Sequence, residues 1–165
     1  NGIDDYVSFG EIPQTQNTSE FSMCIWVNWD SLSPKQHVIG AHPSFNNGIF
    51  IGSDQNSGDN YRVRVEDSGT RAQLLDTGVN GSAGTWYHLV ATYNSGSLTF
   101  YIDGSEVGSV TGGPSTTPSL SEWNIGGPTG NGTFSDATMD DARLYSKELT
   151  ANEVSNLYNT GGISG

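Results

Sequence analysis

The sequence predicts an all-β fold in which two antiparallel sheets pack as a sandwich, with one short helix near the C-terminus. Apolar residues fall in short runs that alternate with polar residues, which is the pattern of half-buried strands. Turn-forming residues separate these runs, and glycine alone contributes 22 of the 165 residues. The regular strand–helix–strand rhythm of a parallel sheet is missing, so a β-sandwich fits best. The length fits a single domain over residues 1–165.

The runs in the first third of the chain predict a central strand and a strand pair. A short strand is expected at residues 6–9. The run at 21–29 has apolar residues on both faces, which indicates a central strand covered on both sides. The runs at 37–40 and 48–52 are expected to pair through the loop between them.

The run at residues 61–66 shows the clearest alternation of apolar and charged residues. Side chains of a strand point alternately to its two faces. The sequence therefore predicts three apolar residues facing the core and three charged residues on an open face: Tyr61, Val63 and Val65 inward, and Arg62, Arg64 and Glu66 outward.

The second half of the chain predicts a hairpin followed by further short strands. The runs at 86–93 and 98–102 are separated by Asn94-Ser95-Gly96-Ser97, which has the length and composition of a tight hairpin loop. Asp103-Gly104 is a second strong turn signal. Four further strands are expected, at residues 72–77, 105–110, 123–126 and 138–145.

One helix is predicted near the C-terminus. Thr150 and Glu153 have the spacing of a capping box, in which each side chain accepts a hydrogen bond from a free N–H of the first turn. An apolar stripe follows at helical spacing, formed by Val154, Leu157 and Tyr158. The pair Gly161-Gly162 ends the helix. Because the helix is short, we expect it to lie as a lid over one edge of the sandwich.

Four segments of the chain carry a family resemblance. The third segment includes Tyr101-Ile102-Asp103-Gly104, and the fourth begins with Met139-Asp140-Asp141-Ala142-Arg143-Leu144-Tyr145. Together with the other two, they resemble the concanavalin A-like, laminin-G-like modules of secreted proteins, in the order found in that family. The four segments are residues 1–7, residues 21–27, residues 86–93 with 98–104, and residues 139–145 with 149–151 and 153–154.

The resemblance implies a jelly-roll β-sandwich with one concave and one convex sheet. It does not imply one activity, because this fold hosts lectins, receptor modules, adhesins and some glycoside hydrolases. The function therefore has to be argued from a site.

The resemblance also implies a structural calcium ion that ties the two ends of the domain together. In such modules the first and last strands pair, which would bring the acidic doublets Asp4-Asp5 and Asp140-Asp141 together. From the resemblance we expect Asp5 and Asp140 to be the side-chain ligands and the carbonyl oxygen of Gly2 to be a further ligand. Ca²⁺ prefers such carboxylate and carbonyl oxygens. The alternative is that both doublets are solvated surface charge.

The sequence offers no catalytic constellation, so we do not expect an enzyme. Retaining glycosidases hold two carboxylates about 5 Å apart, which alternate positions of one strand can supply. No Glu-x-Asp or Glu-x-x-x-Glu pair stands on a predicted strand, since Glu66, Glu106 and Glu122 are isolated. The three histidines have no serine or cysteine in a nucleophile-like turn, and His88 is expected to be structural.

Four residues are the candidates for contacting a ligand. Arg62 and Arg64 are expected to project from the same strand face, where a guanidinium fork would bind sugar hydroxyls or an acidic sugar. Tyr101, on the outward face of its strand, and Trp123, on a rim, are the expected aromatic contacts. For the two arginines, a solvated strand face balanced by Glu66 stays open as the alternative.

Charge and cysteine content restrict the partners. The 6 basic and 18 acidic residues give a net charge of −12, which repels nucleic acid and anionic membranes. The sequence contains no apolar run long enough to insert into a membrane. The single cysteine, Cys24, excludes an internal disulfide. We expect an extracellular or cell-surface protein.

The function that fits these observations is that of a non-catalytic carbohydrate-binding module of a larger extracellular protein, with a polysaccharide or glycan as its partner. The alternative is a protein-interaction or adhesion module of a cell-surface or virion protein, whose partner is another extracellular protein. An exposed apolar patch larger than about a few hundred Å² would favour that alternative.

Overall fold

Eleven strands form two antiparallel sheets, and one α-helix follows the last strand, in a computed structural model that describes residues 5–32, 36–44, 46–53, 61–75, 77–127 and 134–161. One sheet has six strands in the order β1-β10-β3-β4-β5-β6, and the other has five in the order β11-β2-β7-β8-β9. The predicted two-sheet sandwich with a short C-terminal helix is confirmed. The elements are β1 (Val7–Gly10), β2 (Glu20–Trp29), β3 (His37–Ser44), β4 (Asn47–Gly52), β5 (Arg62–Asp67), β6 (Thr70–Leu74), β7 (Trp86–Asn94), β8 (Ser97–Ile102), β9 (Ser105–Val110), β10 (Trp123–Ile125), β11 (Ala137–Tyr145) and α1 (Ala151–Thr160).

The core lies between the two sheets, and β2 runs through its centre. The inward side chains of β2 are all fully buried: Phe21, Met23, Ile25, Val27 and Trp29. The opposite face of β2 is buried as well, including Cys24 and Trp26. The prediction of a central strand covered on both sides is therefore confirmed. Each such large apolar side chain contributes about 1.5–3 kcal/mol through its burial.

Strand β5 and the preceding Tyr61 alternate between two environments, as predicted. Tyr61, Val63 and Val65 are fully buried in the core. The charged residues lie on the opposite face of the sheet, but their exposed fractions are small: Arg62 8%, Arg64 7% and Glu66 0%. The prediction of an open, solvated face is wrong, because both guanidinium groups lie over the ring of Phe50 and Arg64 pairs with Glu66.

Helix α1 begins at the predicted capping box. The hydroxyl of Thr150 accepts a hydrogen bond from the Glu153 backbone N–H, and the Glu153 carboxylate accepts one from the Thr150 backbone N–H at 2.9 Å. The two bonds satisfy donors that have no partner within the helix. At the other end, Gly161 caps the helix and its N–H donates to the carbonyl of Leu157.

Helix α1 packs on the outer face of the five-stranded sheet and not on an edge of the sandwich, so the predicted position is wrong. Its apolar stripe needs an apolar surface, and the outer faces of β2, β7 and β8 provide one. The buried residues of this second apolar cluster are Cys24, Val90, Tyr101, Leu149 and Val154. The ring of Tyr158 also stacks on Trp26, with ring centroids 5.7 Å apart.

The first and last strands do not pair, which contradicts the expectation from the resemblance. Strand β1 pairs with β10 in the six-stranded sheet, where Val7 lies opposite Ile125. Strand β11 pairs with β2 in the five-stranded sheet, with a register shift between Asp140 and Arg143. The two strands are edge strands of different sheets, so no ladder of hydrogen bonds joins them.

Acid is expected to destabilise the fold through His88, which is buried beneath α1. Its ring lies 4.9 Å from the ring of Trp26 and 6.2 Å from that of Tyr158. Burial lowers the pKa of His88 from 6.5 to about 4, and the nearby Asp141 only partly opposes this shift. Because the unfolded chain binds the proton more tightly, the free energy of unfolding keeps its full value above about pH 6.5 and falls as the pH drops towards 4.

The loss amounts to about 3 kcal/mol between those two pH values, at about 1.4 kcal/mol for each unit of pKa shift. Urea unfolding of the wild type and of His88→Gln at pH 7 and pH 4.5 measures it, since other titrating groups cancel in the comparison. The variant is expected to lose less stability than the wild type on acidification. Equal losses would show that His88 is not the acid-sensitive group.

Candidate functional site

A row of residues crosses the outer face of the six-stranded sheet. Strand register places Asn124 of β10 opposite Gly40 of β3, Gly40 opposite Phe50 of β4, and Phe50 opposite Arg64 of β5. Neighbouring strands lie about 4.8 Å apart, so the row spans about 14 Å. The same face carries further polar side chains on both sides of the row. We call this group the outer-face cluster: His37, His42, Phe50, Arg62, Arg64, Glu66 and Asn124.

Phe50 is the centre of the outer-face cluster and is covered by polar groups. The imidazole of His37 stacks on its ring at 4.5 Å between centroids, and that of His42 meets it edge-on at 5.4 Å. The guanidinium carbons of Arg62 and Arg64 lie 4.5 Å and 5.0 Å from the ring centroid. Phe50 therefore serves as an apolar base for four polar side chains, and its ring is not open for a sugar to stack on.

Three glycines allow these side chains to lie close to the sheet. A Cβ atom on Gly40 would lie 2.5 Å from Phe50 Cβ, and one on Gly48 would lie 2.4 Å from His42 Cδ2. A Cβ atom on Gly52 would lie 2.2 Å from the backbone carbonyl oxygen of Gln36. A Cβ atom on Gly40 or Gly52 would meet backbone or Cβ atoms, so both positions require glycine, whereas a Cβ atom on Gly48 would require the His42 ring to shift.

A buried carboxylate lies between two arginines at one end of the row. Glu66 Oε2 is 3.2 Å from Arg64 Nη1, and Arg71 Nη2 donates to Glu66 Oε1 at 2.7 Å. Arg64 Nη2 also contacts Nε2 of His42. Burial lowers the pKa of Arg64 to about 10, although the charge of Glu66 opposes this shift. The Arg64 cation is therefore only partly compensated by its surroundings.

Asn124 holds unused hydrogen-bonding capacity at the other end of the row. Its exposed fraction is 1%, and neither its amide nitrogen nor its amide oxygen has a partner within the described part of the chain. Arg64 Nε likewise makes no hydrogen bond to a described residue. Unpaired buried polar groups cost about 1–3 kcal/mol each, and native proteins seldom retain them without a reason. The cluster can donate to and accept from a polar ligand.

Only two of the four predicted ligand contacts lie together. Arg62 and Arg64 are both in the outer-face cluster. Tyr101 is buried under α1 on the other sheet, because the helix covers the outer face of β8. Trp123 fills the main core, and its Nε1 donates to Thr15 Oγ1 at 3.0 Å. The prediction that Tyr101 and Trp123 are open aromatic contacts is therefore wrong.

The calcium prediction assumed that the first and last strands pair, but β1 and β11 lie in different sheets. Asp5 lies just before β1, and Asp140 lies on β11 in the other sheet, where its Oδ1 accepts a hydrogen bond from the Asp141 N–H. Gly2 and Asp4 lie outside the described residues. Of the described residues, no group of three or more His, Cys, Asp and Glu side chains is placed to hold a metal ion. Calcium binding therefore stays a prediction.

A second surface feature is an apolar cleft at the edge where β1 and β11 leave the sandwich open. Its volume is about 230 Å³. Beside it the side chains of Tyr6, Val7 and Phe9 are 50%, 55% and 54% exposed. The lining residues are Phe9, Ile12, Ile39, Trp123, Asn124, Ile125, Ala142, Arg143 and Leu144.

The two packed sheets define a β-sandwich with a polar cluster on one outer face. A family model of laminin G type, described as the concanavalin A-like lectin/glucanases superfamily, matches residues 1–155. The chain belongs to this superfamily. No curated protein sequence is significantly similar to it. Helix α1, the one α-helix among the described residues, is neither long nor apolar enough to cross a membrane.

Solved structures with this fold include parts of carbohydrate-active proteins. One is domain 4 of AbnA, a GH43 extracellular arabinanase from Geobacillus stearothermophilus, which was solved in complex with arabinotriose. It is 22% identical to this chain, with a TM-score of 0.72, and the match covers 90% of this chain and 72% of that one. Trypanosoma rangeli sialidase in complex with sialic acid is 21% identical with a TM-score of 0.73, covering 100% of this chain but only 28% of the sialidase. The heptameric SAP-like pentraxin from Limulus polyphemus is 16% identical with a TM-score of 0.69, covering 97% of this chain and 78% of that one. At these identities the likeness shows a shared fold.

Proposed function

We propose that the chain is a non-catalytic carbohydrate-binding module of a larger extracellular protein, and that the outer-face cluster is its binding site. The observation that carries this proposal is the unused hydrogen-bonding capacity of Asn124 and Arg64, held in one register row on one face of the sheet. Sugar hydroxyls both donate and accept hydrogen bonds. They therefore match an amide, which offers both functions, and a guanidinium, which offers donors in a planar fork.

The similar structures support a glycan as the ligand and an extracellular location. Domain 4 of the extracellular arabinanase was solved with arabinotriose, and the sialidase with sialic acid. The chain spans about a quarter of the sialidase, at 28% of its length, which supports the role of one module within a longer protein. Glycan recognition by this chain and its place in a larger protein are parts of the proposal.

The charges of the outer-face cluster support binding rather than hydrolysis. Glycoside hydrolysis uses two carboxyl groups, either about 5–5.5 Å apart or about 6.5–9.5 Å apart. Glu66 is the one carboxylate of the cluster, and Arg64 and Arg71 both pair with it. A single carboxylate does not supply the pair of carboxyl groups that this hydrolysis needs.

A glycan array with the folded chain, including arabino-oligosaccharides and sialylated glycans, tests the proposal. Arg64→Gln is expected to weaken the strongest hit at least about tenfold, and Asn124→Ala severalfold, because each removes hydrogen bonds to the ligand. Arg143→Gln is the matched control, since it makes the same change on the other sheet. Failure of the folded wild type to bind any glycan, or unchanged affinity in the first two variants, would contradict the proposal.

The second candidate function is binding of another extracellular protein, and the exposed apolar edge favours it. Val7 and Phe9 are more than half exposed beside the apolar cleft, and apolar patches of this kind often mark interaction sites. If the folded chain binds no glycan on the array, binding of another extracellular protein becomes the proposed function. Phe9→Ser would then be expected to abolish binding in a panel of purified extracellular proteins.

A further inference from the structure

The outer-face cluster concentrates positive charge in a strongly acidic protein. The whole chain has six basic residues and a net charge of −12. Three of the six, Arg62, Arg64 and Arg71, lie on the outer face of the adjacent strands β5 and β6, where Arg71 is opposite Glu66. On the described outer face of β3 to β6, Glu66 is the single carboxylate. The described side chains on this part of the face, over β3 to β6, therefore differ in sign from the protein as a whole.

Glu66 does not compensate all of this charge. It is closer to Arg71, whose Nη2 donates to Oε1 at 2.7 Å, than to Arg64, whose Nη1 lies 3.2 Å from Oε2. One carboxylate is thus shared between two guanidinium groups. Its better geometry is with Arg71, which is also the more exposed of the two.

Arg64 is the undercompensated member of the pair. Burial disfavours its charged form, and the pKa of its guanidinium falls to about 10. Its Nε donor is buried with no partner among the described residues. An anion close to Arg64 would stabilise the charged form of the guanidinium, which burial disfavours. It would also accept a hydrogen bond from Nε, which has no partner among the described residues.

We infer that the outer-face cluster takes an acidic glycan, whose sugar units carry carboxylates as uronic acids and sialic acids do, with Arg64 receiving the carboxylate. This inference rests on the proposed function and names the ligand class of the same site. The planar guanidinium fork matches a carboxylate bidentately, whereas a neutral hydroxyl takes only one of its donors. Asn124, about 14 Å away along the row, hydrogen-bonds a neighbouring part of the same glycan.

Binding requires Arg64 to leave the ring of Phe50. Its guanidinium carbon lies 5.0 Å from that ring, in a cation–π contact. The ligand carboxylate then replaces the contacts of Arg64 with Phe50, Glu66 and His42, while Arg71 keeps its ion pair with Glu66. In the free protein the Arg64 guanidinium therefore lies over the Phe50 ring.

Calorimetric titration of the wild type with matched acidic and neutral ligands tests the inference. Suitable pairs are oligogalacturonate with its methyl ester, sialyllactose with lactose, and glucuronoxylan with its carboxyl-reduced form. The acidic member of at least one pair is expected to bind about tenfold or more tightly than its neutral partner. That preference is expected to shrink as the salt concentration rises, because salt screens exposed charge.

Variants separate the role of Arg64 from the charge of the whole protein. Arg64→Gln is expected to reduce the preference for the acidic ligand to about one, whereas Arg143→Gln keeps it. Neutral ligands that bind as well as the acidic ones would overturn the inference and leave the proposed function standing. If the folded wild type binds no member of any pair, the inference fails, and the glycan array decides whether the proposed function fails with it. The comparison of ligands needs no variant, so it remains decisive even if Arg64→Gln does not fold.

Discussion

Replacing Glu66 by glutamine is expected to lower the free energy of unfolding by about 3–5 kcal/mol, the usual cost of removing one partner of a buried ion pair. Glu66 is fully buried, and Arg64 beside it is 7% exposed. Without the carboxylate, the Arg64 cation would stay in a desolvated environment with no opposite charge. Arg71 loses less, because its side chain is 42% exposed and can reach water.

Urea unfolding of the wild type, Glu66→Gln and Glu106→Gln measures this effect. Glu106 is an exposed carboxylate on β9, so its variant carries the same chemical change and is expected to shift stability by no more than about 0.5 kcal/mol. Adding Arg64→Met to Glu66→Gln is expected to recover part of the loss, since it removes the unpaired charge. A loss below about 1 kcal/mol in Glu66→Gln would contradict the buried ion pair.

Replacing Gly40 by alanine is expected to cost about 3 kcal/mol or more and to weaken ligand binding as well. The added Cβ atom would lie 2.3 Å from the carbonyl oxygen of Ile49 and 2.5 Å from Phe50 Cβ. Backbone and Phe50 must both move to relieve such a contact, which exceeds ordinary overpacking. Because Phe50 supports the polar side chains of the outer-face cluster, its displacement disturbs the site.

Gly108→Ala provides the control for this prediction. A Cβ atom at Gly108, on β9 in the other sheet, would meet only Leu74 methyl groups at 3.6 Å and 3.7 Å, which is ordinary van der Waals contact. Its unfolding midpoint is therefore expected to stay close to that of the wild type. Unfolding of Gly40→Ala and Gly108→Ala at the same urea concentration would show that β3 and β4 do not approach each other closely at Gly40.

Local patterns in the sequence predict the strands and the helix start. The alternation around Val63 and Val65 requires only that one face of β5 meets the core, and the structure confirms it. The capping box of Thr150 and Glu153 is confirmed because it depends on residues within a single turn. Such features need no knowledge of what lies across the sandwich.

Features that depend on distant packing are not predicted from the sequence. A charged residue on an outward strand face is expected to be solvated, yet Arg64 is buried because Phe50 and His42 come from other strands. The outward face of Tyr101 is covered because α1, which follows much later in the chain, packs over it. Periodicity assigns a side chain to a face, but it does not tell what covers that face.

The sequence identifies only some of the residues of the candidate site. Arg62 and Arg64 are identified by strand alternation, whereas Asn124 joins them only through the register of β10, β3, β4 and β5. One sequence signal was available. Gly48 and Gly52 stand two positions on either side of Phe50, which indicates close approach of other groups to that face of β4.

Amide chemical-shift mapping by NMR determines whether glycans bind on the outer face of the six-stranded sheet. The chain is titrated with its strongest glycan hit, and the shifted backbone amides are placed on the structure. We expect them to cluster in β3, β4, β5 and β10, around Phe50, Arg64 and Asn124. Shifts confined to the α1-covered face of β2 and β7, or to the open edge at β1 and β11, would contradict it.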